Sequence, residues 1–118
     1  MKTTLRGVFL TSDQPEKLAA FYRDVAGLPL EAVVSADYTY WMLDREGMQL
    51  AIHDAEAFAD YAHPPLAGSN LTHLYFQVAD LAAFLDHLKS SRIAIHAVDD
   101  VTATVIDPDG RKVLFGTA

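Results

Sequence analysis

No cysteine occurs among the 118 residues. Its absence excludes disulfides, thiolate nucleophiles and thiolate metal sites, and it leaves no sign of an oxidising compartment, so a cytoplasmic location is expected. Basic residues are scarce, with nine Lys and Arg against sixteen Asp and Glu, for a formal charge of −7. A surface that tracks phosphates needs the opposite balance, so nucleic acid is not an expected partner. A neutral or cationic small ligand fits an acidic chain better, although solubility alone also accounts for the charge. Long apolar runs are missing too. The opening MKTTLRGVFLTSD has only GVFL as an unbroken apolar stretch, too short for a signal-peptide core or a bilayer span, so no membrane role is expected. What is present is the composition of an ordinary globular protein, 51% hydrophobic and 21% charged, at a length that suits one domain.

The chain repeats itself. LRGVFLTSDQPEKLAAFY (5–22) laid over THLYFQVADLAAFLDHLK (72–89) pairs Arg6 with His73, Phe9 with Phe76, Asp13 with Asp80 and Leu18 with Leu85. DREGMQLAIH (44–53) laid over DPDGRKVLFG (107–116) pairs Asp44 with Asp107, Gly47 with Gly110 and Leu50 with Val113. The landmarks fall in the same order in both halves, as in one module used twice.

Each half reads as strand, helix and three short strands. Residues 5–11 and 73–78 alternate like strands, with Leu74, Phe76 and Val78 on one face and His73, Tyr75 and Gln77 on the other. Asp13 with Glu16 forms a capping-box pattern ahead of Leu18, Phe21, Tyr22 and Val25, and Gly27 is the stop. Asp80 repeats the cap before Leu81, Phe84, Leu85 and Leu88. Further strands are expected at 29–35, 38–43 and 48–53, then at 93–98, 101–106 and 111–116, with DREG and DPDG as hairpin turns. The fold class is therefore α+β, two βαβββ modules at about 4–53 and 72–117. The linker 54–71 holds adjacent prolines and a Gly-Ser-Asn run, with one helical turn expected near Ala55 to Tyr61.

Two such modules, with FYRDVAGLPL after the first strand and DPDGRKVLF near the end, resemble the vicinal oxygen chelate superfamily, which includes glyoxalase I, extradiol dioxygenases, fosfomycin-inactivating enzymes and bleomycin resistance proteins. The resemblance covers nearly the whole chain. It implies paired half-barrels, with helices outside, a concave sheet face inside and a ligand pocket between two modules, within one chain or across a homodimer. It also implies that family enzymes hold their metal from the first and last strands of each module. The matching positions here are Arg6, Ala51, His73 and Leu114, of which only His73 is a metal donor. A guanidinium is always cationic and a lone imidazole is a weak chelate, so no metal cofactor is expected. A relocated site would need His53, about 7 Å along its strand from position 51, joined by His73 and Gln49. His63, His87 and His96 read as exposed linker, helix and strand residues.

Alternation from those positions selects Arg6, Val8, Leu10, Gln49, His53, His73, Tyr75, Gln77, Lys112 and Leu114 for the concave face. Polar groups in an apolar wall suit a ligand pocket. Tyr38, Tyr40 and Trp41 crowd the third strand, and whichever faces inward would stack on a flat or cationic ligand, unless these rings pack under the outer helix. Two functions follow as expectations. One is a metal-independent small-molecule binder, similar to the antibiotic-sequestering resistance proteins. The other is a glyoxalase-like lyase, isomerase or dioxygenase that uses His73 or His53 as general base or in a relocated metal site, with Arg6 or Lys112 facing a developing oxyanion. A regulatory domain without a small ligand also remains open.

Overall fold

The computed structural model describes residues 5–59 and 73–117. His63 and the rest of the linker beyond position 59 lie outside the described residues. The chain forms two compact units, Met1–Leu66 and Ala67–Ala118. Each carries a four-stranded mixed sheet, and together they form the paired-module α+β fold. No helix among the described residues is long and apolar enough to cross a membrane.

In the first unit the elements are β1 (Gly7–Ser12), α1 (Pro15–Ala20), β2 (Glu31–Val34), β3 (Thr39–Arg45), β4 (Met48–Asp54) and α2 (Ala55–Ala59), with strand order β1-β4-β3-β2. The capping box expected at Asp13 does not form: the N-cap is Gln14, whose side chain makes no capping bond. Pro15 is the reason. Its fixed φ and missing N–H suit the first helical position, which moves the cap to Gln14, and Ser12 Oγ accepts the Gln14 N–H at 3.0 Å. Beyond Ala20 the helix widens into a π-helical stretch, Phe21–Val25, that buries Phe21, Tyr22 and Val25. It ends at Gly27, where φ is +75°. The DREG hairpin turns through Glu46 and Gly47, with φ of 54° and 83°, a pair that matches the right-handed strand twist.

The second unit contains β5 (Leu74–Gln77), α3 (Leu81–Ser90), β6 (Ala97–Val98), β7 (Thr102–Ile106) and β8 (Lys112–Gly116), in the order β5-β8-β7-β6. Here the expected cap holds, since Asp80 Oδ1 accepts the Ala83 N–H at 3.1 Å. Phe76, Phe84 and Phe115 pack together, with Phe84 and Phe115 centroids 4.4 Å apart, so α3 covers the face that carries Phe76. Ala103, Val105, Val113 and Phe115 complete that layer with no exposed surface. Tyr75 and Gln77 stand on the other face, as alternation requires.

The first module departs from the repeat by one residue. Tyr75 pairs with Leu114 in the second unit, and the offset alignment would pair Val8 with Ala51; instead Phe9 pairs with Ala51 and Thr11 with His53. A one-residue shift exchanges both faces of a strand. Val8 and Leu10, expected inside, therefore share the face of Leu50 and Ile52, where Leu10 is 4% and Ile52 0% exposed. Gly7 permits this fit, because a Cβ there would stand 2.9 Å from the Gln49 carbonyl oxygen and 3.1 Å from its Cβ.

Candidate functional site

The shift brings Phe9 onto the same face as His53, and other rings join them. Trp41 pairs with Ile52, so Tyr40, its neighbour, stands on the His53 face and Trp41 on the opposite one. Tyr40 lies parallel to the imidazole, with centroids 4.6 Å apart and planes 18° from parallel. α2 starts directly after β4 because Asp54 Oδ1 accepts the N–H groups of Glu56 and Ala57 at 3.0 Å. This short helix sets Phe58 4.6 Å from His53 and edge-on to Phe9 at 5.8 Å. Phe9 itself is 5.4 Å from the imidazole and 44% exposed. Tyr38 completes the group, its hydroxyl 3.0 Å from His53 Nδ1.

His53 is thus surrounded by Phe9, Tyr38, Tyr40 and Phe58 and is 7% exposed. Burial pushes its pKa below the ordinary histidine value, because the rings replace the water that would solvate an imidazolium. At neutral pH the ring is uncharged. One nitrogen is engaged by Tyr38; Nε2 makes no hydrogen bond among the described residues and is not fully enclosed. Chemically this is a half-open aromatic patch around one neutral polar group.

The same face is polar toward Gln49. Arg6 donates to Asp44 Oδ2 at 2.8 Å and to the Gly47 carbonyl at 2.6 Å, and Gln49 Nε2 approaches Asp44 at 3.4 Å. The Arg6 hydrogen bond, with smaller help from Gln49, holds the Asp44 carboxyl below its ordinary pKa. Arg6 is therefore already occupied by an anion. In the second unit His73, Tyr75, Gln77 and Lys112 are all exposed, and the Tyr75 hydroxyl lies over Gly116. His87 sits on α3 with its ring 5.4 Å from Phe84. Among the described residues no three His, Asp or Glu side chains group together as an ion-holding set. Of the four positions to which the resemblance assigns metal ligands, Ala51 and Leu114 have no donor and Arg6 is bound to Asp44, so these residues do not fit a metal.

A separate open depression of about 450 Å³ is lined by Gln14, Pro15, Glu16, Lys17 and Asp54. It has no aromatic wall and lies at the start of α1, so the ring cluster is the better site by its chemistry. The sequence reading named His53, Tyr40 and Trp41 and left open which of Tyr38, Tyr40 and Trp41 faces inward. The structure gathers Tyr38 and Tyr40 beside His53 and turns Trp41 to the other face, because Trp41 pairs with Ile52. The sequence reading also placed Phe9 on the wrong face and gave Phe58 no role. The signal for Phe58 was Asp54 directly before AEAF, a cap that turns the chain back over β4.

Comparison with known proteins bears on the whole chain. The family described as Glyoxalase/Bleomycin resistance protein/Dioxygenase superfamily matches residues 4–115. No curated protein matches the sequence. Among solved structures, a lactoylglutathione lyase from Agrobacterium tumefaciens is 19% identical with a TM-score of 0.72, over 99% of this chain and 95% of that one. A virulence protein from Salmonella typhimurium is 19% identical with a TM-score of 0.74, over 99% and 98%. TnmS3, an antibiotic-binding protein from Streptomyces sp. CB03234, is 18% identical with a TM-score of 0.70, over 98% and 96%. At such identities the likeness is one of fold. With its family matched over nearly its full length and both βαβββ modules in place, the chain belongs to the Glyoxalase/Bleomycin resistance protein/Dioxygenase superfamily.

Proposed function

We propose that this chain is a metal-independent small-molecule-binding member of its superfamily, similar in role to antibiotic-sequestering proteins of the bleomycin-resistance type. The observation that carries this reading is the ring cluster of Phe9, Tyr38, Tyr40 and Phe58 around His53. Aromatic side chains supply large contact areas at low entropic cost, and a single polar group among them orients what binds. The antibiotic-binding protein of the same fold supports such a role without assigning it. The donor chemistry supports metal independence, since Arg6, Ala51, His73 and Leu114 supply one imidazole between them. A homodimeric, cytoplasmic protein with a neutral, cationic or aromatic ligand completes the proposal.

The test is a thermal-shift panel of flat aromatic and cationic antibiotics on chelator-treated protein, wild type beside Tyr40→Ala. At a concentration about a hundredfold above Kd, a bound compound adds about 2.7 kcal/mol of stability, a shift of several degrees. The shift should vanish in Tyr40→Ala. Stabilisation by no compound, or only after a divalent ion is restored, refutes the reading.

A second reading is favoured by one contact, the Tyr38 hydroxyl at 3.0 Å from His53 Nδ1. If Nδ1–H donates to the Tyr38 oxygen, Nε2 carries the free lone pair and His53 is a competent general base, a tautomer opposite to the one a ligand donor needs. Turnover of a bound compound that disappears in His53→Asn while binding survives would make the protein an enzyme.

A further inference from the structure

We infer that His53 Nε2 is a hydrogen-bond donor to the ligand, and that the site selects flat aromatic molecules with a neutral acceptor, such as a carbonyl oxygen, at one edge. This rests on the binding reading above and names the ligand class of that same site.

Either Tyr38 or His53 must donate across their contact. Two arrangements satisfy a 3.0 Å contact: the phenol donates to Nδ1, or Nδ1–H donates to the phenol. A phenol is a far stronger acid than a neutral imidazole N–H, and its oxygen shares its lone pairs with the ring and accepts poorly. Neutral imidazole nitrogen is a good base. Tyr38 therefore donates, and the single imidazole proton resides on Nε2.

The surroundings then decide what that proton meets. No side chain among the described residues accepts from Nε2, although it belongs to a histidine that is 7% exposed. Nε2 is not fully enclosed, so water serves it in the free protein, and a ligand that covers the patch must bring its own acceptor or leave this N–H unpaired. Phe9, 44% exposed, and Phe58 are the rings against which a flat molecule would rest while its edge reaches Nε2. A cation would meet a donor rather than an acceptor at that point, and the imidazole already occupies a face of Tyr40. The cluster thus favours acceptor-bearing aromatics over organic cations, even on an acidic chain.

Three naphthalene probes of similar size separate the possibilities: 2-acetonaphthone with an acceptor, 2-ethylnaphthalene with neither charge nor acceptor, and the 2-naphthylmethylammonium cation. Affinities are measured by NMR titration at neutral pH on the full chain. In wild type the ketone should bind about tenfold more tightly than the hydrocarbon, the effect of one net hydrogen bond. Tyr38→Phe keeps the ring and releases the tautomer, so the preference should fall to about threefold or less. Long-range proton–nitrogen correlations of the His53 ring should show the Nε2–H tautomer in wild type and a mixture in Tyr38→Phe. Equal binding of ketone and hydrocarbon, tighter binding of the cation, or an Nδ1–H tautomer overturns the inference and leaves the binding reading intact. Binding of none of the three overturns both.

Discussion

Asp107 and Arg111 close the β7–β8 turn, and their removal has a cost that the structure allows to be worked out. Their side chains are 0% and 4% exposed, with Arg111 Nη1 2.5 Å from Asp107 Oδ2. Asp107 Oδ1 also accepts the backbone N–H groups of Asp109 and Arg111, each at 2.9 Å. Asp107→Ala leaves a buried guanidinium without its carboxylate and withdraws the acceptor from both amides. Breaking a buried ion pair from one side costs about 3–5 kcal/mol. For a chain of this length the unfolding entropy is about 0.25 kcal/mol/K, so Tm should fall by roughly 12–20 °C if unfolding is cooperative. Thermal denaturation followed by far-UV circular dichroism measures this. Arg111→Met should cost less, because the two backbone donors still serve the carboxylate. The double variant Asp107→Leu with Arg111→Met should recover part of the loss, since apolar replacement removes the stranded charge. A fall of less than about 4 °C for Asp107→Ala, or a double variant worse than either single one, would refute the reasoning.

His53 supplies a pH prediction. Its folded pKa is depressed by burial, so the unfolded chain takes up a proton near its ordinary pKa while the folded chain does not. Stability should hold above about pH 6.5 and decline as pH falls from there through the folded pKa. His53→Asn should flatten that limb in urea melts across pH, and an unchanged slope would place the titration elsewhere. Gly116→Ala should destabilise by about 1–3 kcal/mol in the same melts. Its Cβ would meet Thr102 Cγ2 and the Val101 carbonyl oxygen at 2.7 Å, as well as the Tyr75 hydroxyl, and a backbone oxygen cannot rotate away. A neutral result would mean that β8 shifts freely, and Tyr75 should then report a changed environment by NMR.

The fold was legible because its signals are local and repeated. Asp80 followed by Leu81, Phe84 and Leu88 contains its own cap and its own apolar stripe, and the second module formed as that pattern required. DREG and DPDG carry their turn chemistry within four residues. The site was less legible because its key contact depends on register. Alternation says that Phe9 and Leu10 face opposite ways but not which faces inward; that is decided by pairing with β4, some forty residues away. Internal symmetry then misled, since it transferred the second module's phase to the first. Asp13 failed as a cap for a related reason: Pro15 outweighed a side chain two positions earlier.

That difference in phase also locates the specialised half of the molecule. Two modules of one fold start with equivalent faces, and a one-residue shift of β1 makes them unequal. In the first, the shift exchanges Val8 for Phe9 beside Ala51 and so adds a ring next to His53, where Tyr38, Tyr40 and Phe58 also gather. In the second, the corresponding strand keeps Tyr75 and Gln77 exposed beside Leu114, and the described residues place no comparable ring cluster on that face. The residue that breaks the repeat, Phe9, therefore joins the proposed ligand site, while the residues that preserve it, from Asp80 to the DPDG turn, hold the fold. Restoring the symmetry tests this division. Phe9→Val removes the added ring from a partly exposed position, so it should cost stability little and ligand affinity heavily. Equal affinity in Phe9→Val and wild type would place the ligand away from the cluster.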